Sequence, residues 1–70
     1  MTWQLDTTGF TESFHPTLCS VERKSGGSPV RCVGIWIYSL NERYVKFDYV
    51  TLTGERIEAS EVRFVRPATR

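Results

Sequence analysis

The sequence has no run approaching the roughly 20 apolar residues that a membrane-crossing helix needs, no Cys-x-x-Cys pair, and only one histidine. Each absence narrows the range of functions. Met1-Thr2-Trp3-Gln4-Leu5-Asp6 has neither a basic start nor an apolar stretch, so the expectation is a cytoplasmic protein with no membrane association. Nine Lys and Arg stand against eight Asp and Glu, a net charge of +1. No bulk field therefore commits the chain to a polyanion, an acidic partner or a bilayer, and any such contact has to come from a local patch. His15 stands beside Pro16 with no cluster of co-ligands, so a zinc site lacks its donors and no metal or cofactor is expected. Cys19 has no evident activating base, and no paired carboxylates or nucleophile-and-base set stands out, so the expected activity is not enzymatic. Cys19 and Cys32 fall on successive strand candidates and read as reduced, partly buried thiols, with a cross-hairpin disulfide or a metal site as the alternatives.

Seventy residues make one domain near the lower size limit for a self-sufficient core. With 40% hydrophobic and 13% aromatic residues, the chain is too apolar to stay disordered. Its apolar residues alternate, which is the period of a strand. Residues 1–16 read as an N-terminal arm anchored by Trp3, Leu5, Phe10 and Phe14, with room for a helical turn around Thr11 to Phe14 that His15-Pro16 would end. A first strand follows from Thr17 to Lys24. Ser25-Gly26-Gly27-Ser28-Pro29 is a loop, permissive in backbone and without apolar residues.

The longest strand candidate runs from Val30 to Leu40, with Val33, Ile35 and Ile37 on one face and Cys32, Trp36, Tyr38 and Leu40 on the other. Both faces are apolar, so the second needs cover, either from the arm or from another subunit. Gly34 marks the expected bulge or corner. After the turn Asn41-Glu42-Arg43, a strand from Tyr44 to Leu52 sends Val45, Phe47 and Tyr49 one way and Tyr44, Lys46 and Asp48 the other. Thr53-Gly54 is a tight turn into Arg56 to Ala59, Ser60-Glu61 is a 3₁₀ corner, and Val62 to Arg66 is a last strand that Pro67 ends. The expected fold is all-β, a small five-stranded antiparallel barrel over 17–67 with the arm before it and a tail at 68–70.

This order of elements resembles the Sm-like family of small SH3-like barrels. Ile57-Glu58-Ala59-Ser60-Glu61-Val62-Arg63-Phe64-Val65 is similar to that family's second motif, of the form I-R-G-x-x-I-R-Y-I. Gly34, the turn at 41–43 and the apolar Val45 and Phe47 resemble the later half of its first motif. The resemblance implies a homo-oligomeric ring in which the fourth strand of one subunit pairs with the fifth of the next, which would put Arg56, Ile57, Glu58, Val62 and Phe64 at the interface. It also implies RNA binding. Yet Glu58-Ala59 stands where the family carries Arg-Gly, and Leu40 and Tyr44 fall near the places of its Asp and Asn, so the usual uridine pocket is not expected.

Single-stranded nucleic acid needs aromatic faces for stacking with cations close by. Tyr38, Asn41, Arg43, Tyr44 and Lys46 supply that mixture around one turn, with Arg63 from the last strand. The competing interpretation makes the tyrosines core edges and the cations solvated surface. A second function of a different class is open beside the first, a protein-interaction adaptor that docks a partner through an apolar strand or a sheet edge. The plasmid-encoded type of dihydrofolate reductase is also a short SH3-like chain. Its Val-Gln-Ile-Tyr pore motif is absent from this sequence.

Overall fold

The computed structural model describes residues 9–40 and 44–68, and these form one antiparallel sheet with almost no helix. Its strands are β1 (Phe10–Arg23), β2 (Val30–Leu40), β3 (Tyr44–Thr51), β4 (Arg56–Glu58) and β5 (Val62–Pro67), with a 3₁₀ turn, Ala59–Glu61, between the last two. They lie in the order β4-β3-β2-β1-β5, curled into a half-barrel. Two backbone bonds hold β5 onto β1 beyond the ladder, Lys24 N–H to Glu61 O at 2.8 Å and Ala68 N–H to Leu18 O at 3.0 Å.

The core lies toward one end of this sheet. Val21, Cys32, Ile57, Cys19 and Tyr49 are its buried apolar residues, with Val30, Ile35, Phe47, Ala59 and Val62 packed around them. The other end is a three-stranded ribbon made of Phe10 to Pro16, Trp36 to Leu40 and Tyr44 to Phe47. It gives the molecule its elongation, 50 × 25 × 23 Å.

Two sequence expectations change here. The first strand begins at Phe10, not at Thr17, and no helical turn forms over Thr11–Phe14. Phe10, Glu12 and Phe14 gain cross-strand partners in Leu40, Tyr38 and Trp36, which a helical turn would forgo. Pro16, which lacks a donor, is accommodated opposite Gly34, next to a register shift between Pro16 and Cys19. Cys32 also changes face. The register slips between Cys32 and Gly34, so one extra β2 residue is inserted and Cys32 turns into the core on the side of Ile35. Gly34 is the bulge its position indicates. A Cβ there would run into the Phe14 ring, which lies on the bare backbone.

The tight turn after β3 behaves as its sequence indicates. Gly54 adopts φ +90°, Gly54 N–H donates to Thr51 O at 3.0 Å, and Thr51 Oγ1 accepts from Glu55 N–H at 3.1 Å. No helix among the described residues is long and apolar enough to cross a membrane.

Candidate functional site

Cross-strand register decides which side chains share a face. On the outer face of the ribbon, Phe14 is opposite Trp36, Trp36 opposite Asp48, Tyr38 opposite Lys46, and Asp48 opposite Glu58. Alternation alone therefore gathers aromatic and charged residues from four strands. Trp36 packs against Phe14 at 5.8 Å and against Tyr38 at 6.4 Å between ring centroids. Arg56 lies over the Trp36 ring at 4.8 Å and donates to the Tyr38 hydroxyl, which donates in turn to Asp48 Oδ2 at 3.2 Å. Trp36 Nε1 donates to Glu12 Oε1 at 3.2 Å. Loss of hydration, and then the Asp48 carboxylate, push the Tyr38 hydroxyl above its usual pKa, so it stays protonated as a donor.

The predicted nucleic-acid residues are placed differently from one another. Tyr38 is held in this network, and its ring is half-buried. Lys46 is paired with Glu58 at 3.5 Å and Arg63 with Glu22 at 2.8 Å. Tyr44 stands out from the surface, 67% exposed. Asn41 and Arg43 lie outside the described residues. The structure thus brings Tyr38 and Lys46 onto one face, cross-strand from each other, and sets Arg63 on β5 at the opposite edge of the sheet.

The predicted interface residues divide between the two edge strands. Arg56 and Glu58 point to the outer face, while Ile57 is buried in the core. Val62 packs on the core and Phe64 is exposed beneath Arg66, whose guanidinium lies 5.6 Å from its ring. No family model, curated protein or solved structure matches this chain.

The edge of β3 supplies what side-chain patterns alone did not show. β4 pairs only with Asp48, Tyr49 and Val50, because the chain leaves the ladder at the 3₁₀ turn Ala59–Glu61, which stays alongside β3 without pairing to it. Among the described residues no strand covers the outer edge of Tyr44–Phe47. An open groove runs there, lined by Tyr44, Val45, Lys46 and Phe47 on one side and Glu58, Ala59 and Ser60 on the other. The sequence signal for this is the shortness of β4 relative to β3.

Cys19 and Cys32 stand directly opposite in the β1–β2 register, both buried and both free thiols. Burial, and then the neighbouring Cys19, push the Cys32 thiol up to about 11, and burial also raises Cys19. Two neutral thiols in that setting act as small core hydrophobes and not as nucleophiles.

Proposed function

We propose that this chain is a non-enzymatic binding module that takes an extended polypeptide at its sheet edge. The edge of Tyr44–Phe47, which no strand pairs among the described residues, carries the reading, because it offers backbone groups beside an open groove. The side chains there are suited to a protein contact, with Val45 62% and Tyr44 67% exposed. The strand order, with a 3₁₀ turn joining the short β4 to β5, supports an SH3-like barrel of the Sm-like kind as the scaffold.

RNA binding by an oligomer is the second reading, favoured by the exposed Tyr44 ring beside Lys46. It stands lower because phosphate recognition draws on available cations, and Lys46 and Arg63 are each already matched by a carboxylate. Solution mass by light scattering at low and high salt, with and without a short uridine-rich RNA, separates the two. The polypeptide reading predicts a mass that ignores RNA and changes little with salt. Mass gained with RNA and lost steeply at high salt would replace it with the RNA reading.

A further inference from the structure

We infer that the strand taken at this edge is β3 of a second copy of the chain, paired antiparallel about a two-fold axis at Val45. The inference rests on the edge-docking reading and gives it a partner. Two antiparallel strands related by a two-fold axis through one continuous sheet keep their faces, so opposed residues must come from the same face. The axis must then fall on a residue, and among the described residues four positions of β3, Tyr44 to Phe47, have no strand partner on this edge.

Three of the four fail. An axis at Phe47 would set Lys46 opposite the other copy's Asp48, whose edge is already taken by Glu58 of β4. An axis at Tyr44 pairs only that one described residue of β3. With the axis at Lys46, two ammonium groups would face each other directly, a destabilising pair. Val45 alone uses the free stretch. Val45 then meets Val45 on the inner face, and Tyr44 meets Lys46 twice on the outer face, where an aromatic ring accepts a cation.

The flanking residues fit the same register. Lys46 retains Glu58 at 3.5 Å, so the cation brought near Tyr44 is already held in position. On the inner face Phe47 is opposite Ile37 within each copy, so pairing at Val45 joins two apolar strips into one. The ribbon gains a structural benefit as well. A projecting three-stranded sheet with little core is marginal alone and gains from becoming the middle of a wider one.

The experiment uses the whole chain, with mass measured by sedimentation across concentration for the wild type, Val45→Lys, Val45→Glu and an equal mixture of the two variants. Val45 is 62% exposed, so both substitutions should leave the far-ultraviolet spectrum and melting temperature of the monomer unchanged. The wild type is expected to dimerise, each variant alone to do so at least about tenfold more weakly, and the mixture to recover the dimer. Val45→Cys gives an independent readout. A short bifunctional thiol reagent should join it to its copy, because opposed residues face each other across the axis at a separation wider than a disulfide spans, while Leu52→Cys, exposed but outside the paired stretch, should not be joined. Self-association that both Val45 charges leave untouched would overturn the Val45 register and leave edge docking standing. A wild type that stays monomeric up to about 1 mM would overturn the second copy as occupant and assign the edge to a different polypeptide.

Discussion

The two ends of this sheet are built from the same strands and hold together by different means. At the core end, bulges at Pro16/Cys19 and Cys32/Gly34 bend β1 and β2 so that Cys19, Val21, Cys32, Tyr49 and Ile57 close on one another. At the ribbon end the same strands run on without such bends, and Phe14, Trp36, Tyr38 and Arg56 stack on the outer face. Burial removes the first group from water and contributes most of the stability. The second group gains smaller amounts per contact and remains partly exposed to solvent. Curvature, not composition, separates the buried core from the exposed ribbon.

The largest effect that tests this contrast is truncation in the core. Ile57→Ala should destabilise the chain by about 2–5 kcal/mol, whereas Val45→Ala on the ribbon should change monomer stability by less than about 0.5 kcal/mol. Chemical denaturation of both variants at a concentration that keeps the chain monomeric checks the pair. Equal effects would mean that the ribbon is as much core as the other end.

A smaller loss is expected where the two ends join. Gly34→Ala places a methyl group where the Phe14 ring lies, and overpacking of this kind costs about 1–3 kcal/mol. Phe14→Ala in the same chain should recover part of that loss, since it removes the atoms that clash. Unchanged melting of Gly34→Ala would show that Phe14 is not seated on the backbone.

The smallest effect is electrostatic and belongs to the core end alone. Cys32 stays protonated in the folded chain up to about 11, while in the unfolded chain it titrates near 9. A folded pKa above the unfolded one means that this contribution is intact below pH 9 and is lost as pH rises through 11. At pH 10 the loss from this thiol is on the order of 1 kcal/mol. Denaturation midpoints between pH 8 and pH 11 should fall less steeply in Cys32→Ala than in the wild type, each compared with its own value at pH 8.

Much of the fold was legible because strands announce themselves by alternation and turns by glycine. Val45, Phe47 and Tyr49 share a face as the pattern predicts, Gly34 marks a bulge, and Ser60-Glu61 is a 3₁₀ corner. What alternation cannot carry is a change of phase. One inserted residue at Gly34 moved Cys32 from the outer face to the core, and although Gly34 marks the site, a glycine does not say whether it makes a bulge that shifts the phase or a bend that keeps it. The start of β1 was obscured for another reason. Thr11 to Phe14 is weakly patterned, and its strand character comes from partners more than twenty residues away on β2. The outer-face network was half visible, since Tyr38 and Lys46 were expected together, but Arg56 over Trp36 depends on β4 lying beside β3.

The clasp of β5 on β1 has a consequence for how the molecule assembles. β1, β2 and β3 are joined by connections of few residues and pair with their sequence neighbours, whereas Cys19 to Arg23 must wait for Val62 to Pro67 from the far side of the whole chain. Closing a long loop costs more entropy and slows the step that requires it. That topology predicts that the meander precedes the clasp and that the edge of β1 beside Cys19 stands open until Lys24 finds Glu61 and Ala68 finds Leu18. A newly made chain is thus briefly sticky at the end that becomes its most protected part.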